Sequence, residues 1–205
     1  MNIIWVATTG SDTTGTGSRD LPYATIEKAV HEMVSGDQVR ILDGTYIPTD
    51  TIVVSGIEGS IFAENPLEVT IQPATTEVSG ACIAILQSTR FMICGVNILQ
   101  AVDSSKNLIG LLVRDVDNFI AYTCKVTGFE VLSGDAYGIY ADGSGRIEHC
   151  TVGGIVGLGS GNTAYGIRTF GIHVIDCSTV EISGANGCQA AGLVGTVRLP
   201  PWTTP

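Results

Sequence analysis

The chain has 205 residues, with 10 Lys+Arg against 20 Asp+Glu for a formal net charge of −10, and is 44% hydrophobic but only 15% charged. Binding to phosphate backbones needs clustered basic side chains, and no basic run occurs, so a general nucleic-acid binder is excluded and an anionic membrane surface is disfavoured. No stretch approaches the roughly 18 uninterrupted apolar residues of a membrane-spanning helix, so membrane insertion is not expected.

In chain order, the opening MNIIWVATTG reads as a strand running into a turn. It lacks the basic start and long apolar stretch of a secretory signal. The expectation is a protein made and folded in the cytosol, with prior removal of a signal as the alternative. DLPYATIEKAV, from Asp20 to Val30, then predicts an amphipathic helix with Pro22 in its first turn. Ile26, Ala29, Val30, Met33 and Val34 fall on one apolar face, and Gly36 follows as a stop. DQVRILDGTY predicts the next strand and turn. Beyond it no helical pattern recurs.

What recurs instead is a repeat. IGLLVRD, YGIYADG, YGIRTFG and AGLVGTV place glycines at Gly110, Gly138, Gly166 and Gly192, in steps of 28, 28 and 26, with a fainter copy at Gly80. RFMICGVNI, IAYTCKVTG, RIEHCTVGG and HVIDCSTVEI repeat in parallel, with Cys94, Cys124, Cys150 and Cys177 in steps of 30, 26 and 27. Units this short cannot bury their own apolar face. Stacked coils can, and like positions then form ladders about 4.8 Å apart. The LxxLxL pattern of leucine-rich repeats is absent, so the pattern predicts a parallel β-helix.

Alternation puts the four cysteines inward as a ladder of reduced thiols. Phe91, Ala121, Ile147 and Val174 also point inward, as do Val96, Val126 and Val152, and Leu111, Ile139 and Ile167. The predicted organisation is one domain: cap and first coil over 1–46, coils over 47–197, and a Pro-rich tail over 198–205. A β-helix leaves its core exposed at both ends, so the helix is expected to cover the first coil. The tail, with Trp202, is expected either to plug the last coil or to reach a neighbouring subunit.

The segment WVATTGSD…LPYATIEKAVHEMVSGDQVRILDGTY, Trp5 to Tyr46, resembles the N-terminal cap of the pectate-lyase-like right-handed β-helix superfamily. The likeness lies in the strand ending in GSD, the LPYATI helix and the GDQV…GTY strand and turn, and covers about a fifth of the chain. It implies an all-β, right-handed, single-stranded parallel β-helix (a solenoid) with one N-terminal capping α-helix. The superfamily includes polysaccharide lyases, epimerases, phage tail spikes and non-catalytic surface proteins, so the likeness implies a fold and leaves the function open.

A uronate lyase of that superfamily needs a cation to neutralise the sugar carboxylate and a base to take the C5 proton. Outward slots offer Lys125, Arg146 and Arg168 as candidate catalytic residues. His149 and His173 fall in different slots. Asp115, Asp142, Glu148 and Asp176 are available as carboxylates. None of these stack as a calcium site would, so no metal or cofactor is expected, with Ca²⁺ entering only under the lyase alternative.

The outward apolar set is Met92, Leu112, Ile120, Tyr122, Tyr140, Phe170 and Ile175, to which Trp202 is added. A patch of that extent marks a partner or glycan surface, unless a one-residue slip turns it inward. The expected function is a non-catalytic structural or interaction protein. By analogy with phage spikes it would be a homotrimer on a virion exterior, as a capsid decoration or tail component contacting other virion or surface proteins. The alternatives are a polysaccharide-active enzyme or a carbohydrate-binding module, secreted or at a cell surface.

Overall fold

In a computed structural model, the described residues are 1–73, 80–99, 107–131, 134–158, 161–184 and 189–197. In chain order they form β1 (Ile3–Val6), α1 (Ile26–Glu32), β2 (Asp37–Ile41), β3 (Gly44–Tyr46), β4 (Ile52–Ser55), β5 (Gly59–Ala63), β6 (Val69–Ile71), β7 (Gly80–Leu86), β8 (Phe91–Cys94), β9 (Val96–Leu99), β10 (Leu108–Tyr122), β11 (Lys125–Val131), β12 (Ala136–Glu148), β13 (Thr151–Gly157), β14 (Thr163–Ile175), β15 (Ser178–Gly184) and β16 (Gln189–Val197). The result is a parallel β-solenoid of about 5 turns with a single short helix.

Three faces run along its axis. Face A stacks β4 on β7, then the first halves of β10, β12, β14 and β16. Face B stacks β1, β2, β5 and β8, then the second halves of the same long strands. Face C stacks β3, β6, β9, β11, β13 and β15. The A–B corner is a bend within each long strand; in β10 it falls at Asp115 and Asn118, with φ of 55° and 52°. The B–C corner is a ladder of left-handed residues, Gly95, Thr123, His149 and Asp176. Side chains with a Cβ tolerate that conformation poorly. Here the corner amides compensate by bonding to the next coil: Thr123 N–H donates to Glu148 O at 3.1 Å, and His149 N–H to Ile175 O at 3.1 Å.

The expected inward residues other than the cysteines are all buried, including Phe91, Ala121, Ile147, Val174, Val96, Val126, Val152, Leu111, Ile139 and Ile167. The rungs are set differently at two places. Cys94 pairs with Phe62 and Tyr122, so it lies outside the cysteine ladder and is only half-buried. Val96 takes that inward slot, as the neighbouring register Asn97↔Lys125 fixes. The thiol ladder is therefore Cys124, Cys150 and Cys177, with Cys150 N–H donating to Cys177 Sγ at 3.3 Å. All three are free thiols; Cys188 lies outside the described residues. Likewise Gly80 pairs with Leu108, leaving Cys82 level with Gly110.

The repeat glycines have a packing cause. A Cβ at Gly110 would overlap Val126 Cγ1 across the core, and one at Gly138 would overlap Val152 Cγ1. Faces A and C approach too closely there for any side chain.

The helix covers the first coil, burying Ile26, Ala29, Val30 and Met33 and touching β1, β2 and β4. It starts later than expected. Tyr23 is held beside β1, its N–H donating to Trp5 O at 3.0 Å, so Pro22 precedes the helix. Thr25 caps α1, accepting from Lys28 N–H at 3.2 Å. The Asp12 carboxylate holds Thr25 in turn, accepting from its N–H at 3.1 Å and its hydroxyl at 2.7 Å. The helix also ends sooner. Met33 is already extended, Val34 is 64% exposed rather than on the apolar face, and Gly36, at φ 96°, makes the turn into β2.

Candidate interaction face

Outward columns on face A are built by like residues meeting rung by rung. One column runs Ile109, Tyr137, Tyr165, Ala191. The next runs Val53, Ala84, Leu112, Tyr140, Arg168, Val194. A third brings Asp142 beside Phe170. Where they meet, Tyr137 stacks on Tyr165 with centroids 5.5 Å apart and planes 22° from parallel. Tyr140 packs edge-on against Tyr137 at 5.5 Å and tilts against Phe170 at 5.9 Å. The Arg168 guanidinium lies 5.0 Å from the Tyr165 ring, 5.3 Å from Phe170 and 5.9 Å from Tyr137. Such contacts favour a cation by about 0.5–2 kcal/mol each.

Polar bonds fix this plaque. Arg168 Nη1 donates to Tyr137 Oη at 3.3 Å, and Tyr137 O–H donates to Asp135 Oδ2 at 3.2 Å. Asp135 Oδ1 accepts from Thr163 N–H at 2.8 Å, tying the carboxylate to β14. Burial, with the Asp135 carboxylate adding to it, pushes the Tyr137 hydroxyl above its ordinary value. That hydroxyl is a donor, not a base, at neutral pH. Arg168 Nε is buried and bonds to nothing in the protein.

The expected outward apolar residues divide between two faces. Leu112, Tyr140 and Phe170 lie on face A. Met92, Ile120, Tyr122 and Ile175 lie on face B, with Met92 level with Ile120, Arg146 and His173, and Tyr122 level with Cys94, Glu148 and Ile175. None of the seven is buried; Phe170 and Tyr122 are the most exposed, at 45% and 40%. Tyr122 packs edge-on against His149, 5.3 Å away. Face B also carries two shallow clefts of about 220 and 340 Å³ that share Arg90, Asn118 and Ile120. Trp202 lies outside the described residues.

The three candidate bases do not converge. Lys125 is on face C between Asn97 and Thr151, Arg146 on face B, and Arg168 on face A. Arg146 is paired with Glu148 at 3.0 Å. Asp115 and Asp176 sit at different corners, Asp142 on face A and Glu148 on face B. Among the described residues no three His, Cys, Asp or Glu side chains are grouped to hold a metal ion. No helix among them is long and apolar enough to cross a membrane.

Tyr137, Tyr165 and Asp135 were not singled out from the sequence. The two tyrosines carried a signal, since each directly precedes a repeat glycine in YGIY and YGIR. Asp135 carried none.

No family model matches the chain, and no curated protein does. Among solved structures, the pectin methylesterase from Aspergillus niger superposes in two glycosylation forms. Each has a TM-score of 0.51 at 12% identity, covering 94% of this chain and 91% of the enzyme. The fold is the pectate-lyase-like right-handed β-helix. A rhamnogalacturonan lyase also aligns, at 15% identity over 95% of this chain and 63% of its own, but its TM-score of 0.46 adds nothing to the assignment. At such identities the β-helix is shared and no side chain carries over.

Proposed function

We propose that this β-helix is a non-catalytic interaction protein that assembles with copies of itself through the aromatic plaque of face A. The observation that carries the reading is Arg168 held among Tyr137, Tyr165 and Phe170. A base for proton abstraction must be free to reach its substrate; this guanidinium is packed against three rings and bonded to the Tyr137 hydroxyl. Rigid aromatic and Arg anchors are what interface centres use. Charge supports the choice of face. At −10, copies repel one another, and the column from Val53 to Val194, which carries no acidic residue and has Arg168 as its one charge, is where they meet at least cost. The expected assembly is a trimer, and a virion-exterior component is the setting we propose for it.

The test is light scattering on the wild type, Tyr140→Asp on face A and Tyr122→Asp on face B. The reading expects an oligomer that Tyr140→Asp dissociates and Tyr122→Asp leaves intact. A wild type that stays monomeric at all concentrations would sink it. A second reading has the same stacked tyrosines bind a polysaccharide, as the pectin named for the structural neighbour would suggest. A monomer whose binding to a pectin panel is lost in Tyr140→Asp would favour it.

A further inference from the structure

We infer that Cys150 and Cys177 are a redox modification site, at which a small-molecule disulfide converts the two thiols into an inter-rung disulfide that fastens β15 to the coil before it. The two cysteines fill the same slot of successive coils. Thr151 is level with Ser178, so the residues just before them are level too, and Ser178 N–H donates to Cys150 O at 3.0 Å. Neighbours of this kind lie about 4.8 Å apart, inside the roughly 4.4–6.8 Å that separates the α-carbons of disulfide-bonded cysteines. The later sulfur already leans across the gap. Cys177 Sγ accepts from Cys150 N–H at 3.3 Å and lies 3.4 Å from Ile147 O, both on the earlier coil. The backbone is therefore in place, and side-chain rotation is the movement that the bond requires.

Exposure sets the order of events. Cys124 and Cys150 are each 1% exposed, whereas Cys177 is half-buried, so a reagent meets Cys177 first. The hydrogen bond from the Cys150 thiol also holds Cys177 below the ordinary thiol value, which favours the attacking thiolate. The Cys177 thiolate attacks one sulfur of the small disulfide, forming a mixed disulfide and expelling one thiolate, to which solvent returns the Cys177 proton. The Cys150 sulfur then attacks the Cys177 sulfur and expels the second thiolate, which takes up the Cys150 proton. Two protein thiols are oxidised, and the reagent is reduced to two thiols. The new bond spans 27 residues of chain. It ties down β15, which among the described residues is paired only with β13 and covers Ile182 only in part. A strand held from one side opens more readily than one inside the stack, and the cross-link suppresses that opening. The site lies at the B–C corner and is independent of the face A interface.

The test treats the folded wild-type chain with 2-hydroxyethyl disulfide, a neutral reagent that the net charge of −10 does not repel. Mass spectrometry should show the loss of two hydrogens, peptide mapping should place the bond between Cys150 and Cys177, and dithiothreitol should reverse it. Cys94, whose rung neighbours are Phe62 and Tyr122, is the internal control and should carry at most the reagent's adduct. Adducts without a cross-link, or a cross-link that joins any other pair, would overturn the inference. Cys177→Ser should abolish the bond and Cys124→Ser should leave it; the mapping on the wild type decides the matter even where a variant fails to fold. As a second readout, amide exchange in β15 should slow at least about tenfold on oxidation, while that of β2 stays the same. Equal exchange of β15 in the two redox states would refute its fastening.

Discussion

The two ends of this solenoid solve the same problem differently. At the N-terminal end α1 lies over the first coil, and Val6, Val39 and Ile41 beneath it are fully buried. At the C-terminal end the equivalent slots of the last rung remain partly open. Coils alone cannot finish a β-helix, because each rung is sealed only by the next. The first end is sealed by a built device: a capped helix, a carboxylate that holds the cap, and a tyrosine whose hydroxyl donates to Leu42 O at 2.8 Å. Among the described residues nothing covers the second.

That comparison can be broken in order of expected effect. Ile26→Ala, under the lid, removes a buried side chain that nothing can replace and should cost about 2–5 kcal/mol in denaturant unfolding. Ile182→Ala at the open end should cost well under half of that; equal costs would mean the two ends are equally sealed.

Gly138→Ala probes the middle of the stack. Its methyl would meet Val152 and the Gly166 carbonyl, so a loss of about 1–3 kcal/mol is expected. Gly192→Ala, whose nearest neighbour is the Thr179 side chain, should lose less in the same assay. Asp12→Ala or Thr25→Ala should cost about 1 kcal/mol each, and less than their sum when combined, because one bond supports the other.

A pH titration sharpens the same end. Burial pushes the Tyr46 hydroxyl up to about 12. A raised value in the folded state means that the neutral form is favoured there. The stability it brings is therefore complete below pH 10 and lost as pH climbs from 10 towards 12. Tyr46→Phe should flatten that decline in unfolding curves recorded between pH 9 and 12. A slope unchanged from wild type would remove Tyr46 from the seal.

Much of the fold is legible in the sequence because the two-residue period of a strand survives a shift of the rung by two. Aligning Cys94 with Cys124 misplaced the rung by two residues, since Val96 holds that slot. Gly80 was misplaced against Gly110 by the same amount. Alternation within one strand survives such a slip, so Phe91, Ala121, Ile147 and Val174 are inward and the seven apolar residues unburied as expected, whereas Cys94, expected inward, lies outside the thiol ladder. Corners were not legible. Thr123, His149 and Asp176 adopt left-handed conformations that nothing in their residue types demands. Without the corners, the outward residues could not be divided into three faces. Lys125, Arg146 and Arg168, expected on outward slots, lie on three different faces of the solenoid. The helix boundaries failed for a local reason, because Tyr23 is recruited by β1 and leaves the helix to begin at Ile26.

The most direct test of the central claim is hydroxyl-radical footprinting of the assembled protein against a dilute sample. An interface on face A predicts that Tyr140 and Phe170 lose reactivity on assembly, while Tyr122 and Met92 on face B keep theirs. Equal reactivity of Tyr140 and Phe170 in both samples, or protection confined to face B, would contradict it.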